Sequence, residues 1–181
     1  MGKAIGKTTF YPKFILSTVL AFNFICCGLS SNAEAQTTHG KFGAGFMIGT
    51  LVSINGKYWF SDRSALDFGL AFNSPYWNML YADYLWHLPG LFGSSTQFGR
   101  QSVGYVGVGG GLGFWNRRDC NRWGCSGSDN GTGVALRGFF GAEWTPAPNP
   151  LGVFAEIGPT IGLTPATVTL IDLAVGLRYY F

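Results

Sequence analysis

Beyond residue 40 the chain alternates between apolar and polar-or-small positions with a period of two. The pattern is cleanest at the end. Ile171, Leu173, Val175, Leu177, Tyr179 and Phe181 share one face, and Asp172, Ala174, Gly176, Arg178 and Tyr180 share the other. Because successive side chains of a β-strand point to opposite faces, this segment predicts a strand with one greasy side and one polar side. Seven further segments read the same way, separated by Gly, Pro, Ser, Asn and Asp. The eight predicted strands are 41–49, 53–60, 64–73, 79–88, 103–115, 133–144, 153–162 and 169–181.

The distribution of charge over the two faces says what the alternation is for. In the third segment Leu66, Phe68, Leu70 and Phe72 oppose Asp67, Gly69 and Ala71; in the sixth Val134, Leu136, Phe140 and Trp144 oppose Arg137 and Glu143. Lys57, Asp83, Glu156, Asp172 and Arg178 likewise fall on the less apolar side of their segments. A water-soluble barrel has the reverse polarity, apolar inside and charged outside. Lipid offers no partner to an open strand edge, so a sheet with a lipid-facing exterior has to close on itself. An even number of strands, each close to the 9–11 residues that cross a bilayer obliquely, completes the expectation. The predicted fold is all-β: an eight-stranded antiparallel up-and-down transmembrane β-barrel. Tyr58, Phe60, Tyr84, Trp86, Trp115, Trp144, Tyr179 and Phe181 lie near segment ends and are expected to form aromatic girdles at the two interfaces.

The N-terminus has a different logic. Lys3, Lys7 and Lys13 precede an apolar run from about Phe14 to Leu29, followed by the small-x-small triplet Ala33-Glu34-Ala35. This is the anatomy of a secretory signal peptide. The expected division is a cleaved signal over 1–35 and a barrel over 36–181. Export implies an oxidising compartment, so Cys120 and Cys125 are expected to form a disulfide, whose small loop contributes about 2 kcal/mol by chain entropy. Two thiols without further ligands do not specify a metal site. The near balance of Lys and Arg against Asp and Glu gives no basis for nucleic-acid binding. Gly107, Gly109, Gly111 and Gly113 face inward in the fifth segment and make room for long side chains from other strands. Their spacing does not complete a dinucleotide-binding fingerprint, because Leu112 stands where the third glycine is needed. No cofactor is expected.

A chain of eight such segments that closes on Val175-Gly-Leu-Arg-Tyr-Tyr-Phe181 resembles the small eight-stranded outer-membrane barrels of the OmpA-like class. The resemblance implies location in the bacterial outer membrane. It implies that Tyr179 and Phe181 carry the signal read by the barrel-assembly machinery. It places both termini in the periplasm, with outer loops at about 50–52, 74–78, 116–132 and 163–168. Turns 61–63 and 145–151 suit the periplasmic side. The connection 89–102 is long for that side, so either a strand begins earlier than 103 or this loop plugs the lower mouth.

An eight-stranded interior is only wide enough for side chains to fill it. Lys57, Asp67, Asp83, Arg137, Glu143, Glu156, Asp172 and Arg178 are therefore expected to interlock in a lumen network rather than line an open path. A narrow channel is the first rival reading. A lipid A-modifying enzyme is the second, resting on His87 beside Asp83, but no serine nucleophile accompanies it and no enzymatic activity is expected. The third outer loop holds Arg117, Arg118, Arg122 and Trp123 around the cysteine pair, a cationic tip suited to lipopolysaccharide phosphates or another surface. The function expected is a monomeric barrel with a structural or surface-interaction role.

Overall fold

The structure is a computed structural model and describes residues 40–74, 77–116, 120–121, 124–125, 130–165 and 167–181. The predicted signal segment 1–35 and the loop residues Arg117, Arg118, Arg122 and Trp123 lie outside the described residues. Eight strands form the barrel: β1 (Phe42–Gly49), β2 (Val52–Trp59), β3 (Ser64–Ser74), β4 (Trp77–Leu88), β5 (Ser102–Asn116), β8 (Asn130–Trp144), β9 (Leu151–Gly162) and β10 (Val168–Tyr180). One helical turn, α1 (Gln97–Arg100), precedes β5, and a small hairpin of β6 (Cys120–Asn121) and β7 (Gly124–Cys125) lies between β5 and β8.

The strands close in the order β1-β10-β9-β8-β5-β4-β3-β2, each antiparallel to its neighbours. Closure runs from Gly43 opposite Tyr180 to Gly49 opposite Ala174. Following partners around the wall from Gly43 through Lys57, Asp67, Asp83, Gly109, Arg137 and Thr160 leads to Leu170. Leu170 is four residues beyond the Ala174–Gly49 pair, so the circuit returns ten residues above its start. A stagger of this kind accompanies the oblique strand tilt of a closed barrel.

The polarity is inverted, as the alternation predicts. Val108, Phe140 and Ile171 point outward and are 65%, 63% and 63% exposed, whereas Lys57 and Arg178 are fully buried. Met47, Leu51, Met79, Tyr81 and Trp115 pack toward the end with the long loops, and Ala65, Leu85, Tyr105 and Phe139 pack toward the end with the termini.

Cross-strand pairs explain how large rings fit so narrow a tube. Tyr105 faces Gly141, Phe139 faces Gly107, Phe154 faces Gly176, Tyr180 faces Gly43, Tyr81 faces Gly69 and Trp115 faces Gly131. A Cβ placed on any of these glycines would sit 2.3–2.7 Å from the opposing side chain. Each ring lies down on the bare backbone of the neighbouring strand, an arrangement in which an aromatic side chain covers a strand glycine.

Two expectations are corrected. Trp115 does not join an interfacial girdle; it has the parity of Tyr105 on β5, points inward and is buried over Gly131. The connection 89–101 neither extends a strand appreciably nor plugs the mouth. It is exposed, Leu91 lies over the outward side of Gly104, and the Phe98 ring stands 6.2 Å from that of outward-facing Trp144.

Candidate functional site

The lumen holds the densest chemistry in the described residues. Strands β2 and β8 are four places apart in either direction around the eight, so a contact between them crosses the full diameter. Lys57 on β2 and Glu143 on β8 make that contact, with Nζ 2.5 Å from Oε2. Arg178 on β10 reaches Asp67 on β3, Nη2 to Oδ2 2.5 Å, and lies 3.8 Å from Glu143 Oε1. The same guanidinium donates to Asn55 Oδ1 at 3.3 and 3.4 Å. Tyr180 donates its hydroxyl hydrogen to Glu143 Oε1. These groups form one transverse bolt nearer the termini.

Rings back the bolt. Lys57 Nζ lies 4.3 Å from the centre of Trp59 and 5.2 Å from that of Tyr105, while the Arg178 guanidinium carbon lies 4.3 Å from the centre of Phe154. Such cation–π contacts gain strength where water is excluded. Tyr105 also donates to Glu156 Oε1 at 2.7 Å. Above this level Arg137 pairs with Asp83 at 3.5 Å and lies 4.4 Å from the Tyr81 ring. Asp172 is nearer the long-loop mouth, accepting from Thr160 at 2.5 Å and Thr50 at 2.8 Å. Of the eight charges singled out from the sequence, seven thus interact across the middle and lower lumen, and Asp172 belongs to the upper rim.

A cavity of about 20 Å³ lies toward the long-loop end, lined in part by Arg137, Glu156, Thr160 and Asp172. It is large enough for a water molecule, which needs roughly 10–15 Å³. Arg137 Nε and Nη1 have no hydrogen-bond partner among the described residues.

His87 is buried beside the bolt. Its Nε2 is 2.9 Å from Lys57 Nζ, its Nδ1 is 3.3 Å from the Arg63 carbonyl oxygen, and its ring lies tilted against Trp59 with centres 4.1 Å apart. Both ring nitrogens are therefore engaged with groups other than a hydroxyl nucleophile, whereas acyl-transfer chemistry needs that nucleophile within hydrogen-bond reach. The uncharged members of the network, Asn55, Trp59, Tyr105 and Tyr180, were not singled out by charge. Strand parity places each of them on the inner face and is the signal that finds them.

At the surface, Tyr179 and Phe181 are exposed with ring centres 5.0 Å apart, and Phe181 lies 6.0 Å from Phe42 of β1. Cys120 is directly opposite Cys125 in the β6–β7 hairpin.

No protein-family model matches the chain, and no curated protein sequence does either. Among solved structures, the N-terminal β-barrel domain of OprF from Pseudomonas aeruginosa is similar with a TM-score of 0.54 at 16% identity, covering 79% of this chain and 99% of that one. Neisserial surface protein A gives 0.47 at 15% identity over 77% and 93%. A de novo designed transmembrane β-barrel gives 0.47 at 19% identity over 79% and 97%. At such identities the likeness to the OprF barrel is one of fold. The closed eight-stranded topology, the apolar exterior and the charged interior make this a membrane-spanning β-barrel of the small outer-membrane type.

Proposed function

We propose that the protein is an integral outer-membrane barrel whose lumen is closed, so that it supports the membrane and acts through its long-loop end rather than as a conduit or an enzyme. The observation that carries this reading is the diametric Lys57–Glu143 contact together with Arg178, Asp67 and Tyr180. An ion passing through would have to break several buried charge pairs in a tube only wide enough for its own side chains. The termini then lie on the periplasmic side, and the β5–β8 and β9–β10 connections face outward.

Within this reading the cationic loop with Arg117, Arg118, Arg122 and Trp123 contacts lipopolysaccharide or another anionic surface, pinned by a Cys120–Cys125 disulfide. The direct opposition of the two cysteines in the hairpin supports that pairing. Residues 1–35 serve as the export signal, and Tyr179 with Phe181 engages the barrel-assembly machinery. The protein acts as a monomer. The test is planar-bilayer recording of the purified, folded protein, with folding verified by different gel mobility before and after boiling. The expected result is no discrete conductance; regular single-channel steps whose size changes with substitutions at the Lys57–Glu143 level would overturn it.

A further inference from the structure

The connection between β4 and β5 is ordered without being buried. The amide of Gly93 donates to the Gly90 carbonyl at 3.0 Å, with both glycines at positive φ, a backbone region that glycine adopts at no steric cost. Thr96 caps α1 by accepting from the amide of Gly99 at 3.0 Å, and Arg100 Nη1 donates to the Ser94 carbonyl at 2.9 Å. The segment is tied to the barrel by the amide of Thr145, which donates to the Gln101 carbonyl at 2.9 Å. On this platform Leu91, Phe92 and Phe98 are 60%, 40% and 58% exposed. An ordered loop that displays three large apolar side chains has to cover them with something.

Their position identifies the cover. Leu91 sits against the outward side of β5 at Gly104, and Phe98 joins Phe92 on one side, centres 6.4 Å apart, and Trp144 on the other. Trp144 is paired with Val153 on β9, and Trp86 with Val106 on β5, all on the outward parity of the wall. The cluster therefore continues the lipid-facing belt past the strand ends. Arg100 is the one charged residue between 89 and 102. An apolar patch with a basic rim is the composition of an interfacial membrane anchor.

We infer that the 89–101 loop is a foot inserted into the bilayer leaflet at the termini end, with Leu91, Phe92 and Phe98 among the acyl chains and Arg100 at the phosphates. This rests on the membrane-spanning reading and adds to it a second lipid contact outside the strands.

The test uses the chain with its four cysteines replaced by serine, reconstituted in phosphatidylethanolamine–phosphatidylglycerol vesicles and spin-labelled singly after Phe92→Cys, Phe98→Cys, Ser95→Cys or Phe140→Cys. Collision with oxygen, which concentrates in lipid, is compared with collision with a water-soluble nickel chelate. The foot predicts an oxygen-to-nickel ratio several-fold higher at 92 and 98 than at 95. Equal ratios at 92, 95 and 98, or shielding of 92 and 98 from both reagents as in a contact with a second protein, would overturn it. Phe140, in mid-wall, separates the two claims: a lipid-like signal there with a water-like signal at 98 refutes the foot alone, and a water-like signal at 140 refutes the membrane-spanning barrel.

Discussion

Replacing Glu143 by glutamine tests whether the bolt holds the barrel together. The side chain keeps its shape, so no cavity opens, and an amide oxygen remains to accept from Tyr180. What is lost is a negative charge 2.5 Å from Lys57 and 3.8 Å from Arg178. With an effective dielectric constant near 20, these attractions are about 7 and about 4 kcal/mol before solvation is counted. Desolvation of the buried ions offsets most of that gain, and measured losses on removing one partner are about 3–5 kcal/mol, because the remaining charge stays buried and uncompensated. Here two cations are left, with Asp67 as their nearest carboxylate. Urea titration in lipid vesicles, followed by fluorescence of the six tryptophans, reads the change. With a slope of about 2 kcal/mol per molar, the midpoint should fall by about 2 M. Lys57→Met combined with Glu143→Gln should recover more than half of the loss, since both charges leave together. A loss below about 1 kcal/mol for the single variant, or strict additivity in the double variant, refutes the argument.

Other outcomes follow from the ring–glycine pairs and the exterior. Gly141→Val should destabilise by about 1–3 kcal/mol in the same titration, since its Cβ would lie 2.3 Å from the Tyr105 ring, while Gly138→Ala, whose nearest neighbour is 4.0 Å away, should be close to neutral. Phe140→Arg should cost about 2–4 kcal/mol in a bilayer if that face meets the hydrocarbon midplane. Cys120→Ser with Cys125→Ser should leave the barrel's urea midpoint unchanged while accelerating proteolysis in the β5–β8 loop, because the hairpin is a separate small sheet. A fall in the midpoint equal to that of Glu143→Gln would show that the hairpin supports the wall.

The sequence alone assigns the fold through a rule that is local and binary: parity. Phe140 and Arg137 differ by an odd number of positions on β8, and that suffices to send one to lipid and the other to the lumen. Which charge meets which does not follow, because Lys57 and Glu143 are 86 residues apart and are joined by the stagger of the closed sheet. For Trp115 the position at a segment end points to a girdle and the parity on β5 points inward, and the parity decides. The apolar residues of the 89–101 loop carry no strand period, so parity does not place them. Its course depends on turn glycines and on hydrogen bonds such as Thr145 to Gln101, which the sequence does not announce.

The buried charges also answer a question that parity leaves open. Sliding one strand past its neighbour by one residue exchanges lipid and lumen faces and is strongly disfavoured, but a slide of two restores every face. Apolar burial hardly distinguishes that error from the native register. A two-residue slide moves Lys57 about 6.6 Å along the wall, at 3.3 Å per residue, which breaks a 2.5 Å contact with Glu143. It also sets a ring such as Tyr105 against a residue other than Gly141. The bolt and the ring–glycine pairs thus act against even-numbered slips that the alternation permits. The double variant Lys57→Met with Glu143→Gln isolates this effect, since it regains stability without regaining registration. Refolded into vesicles, it should give more than one folded species by gel mobility and slower return to a single form than the native chain. A single species formed at the native rate would mean that the glycine pairs set the register unaided and that the charges contribute only to stability.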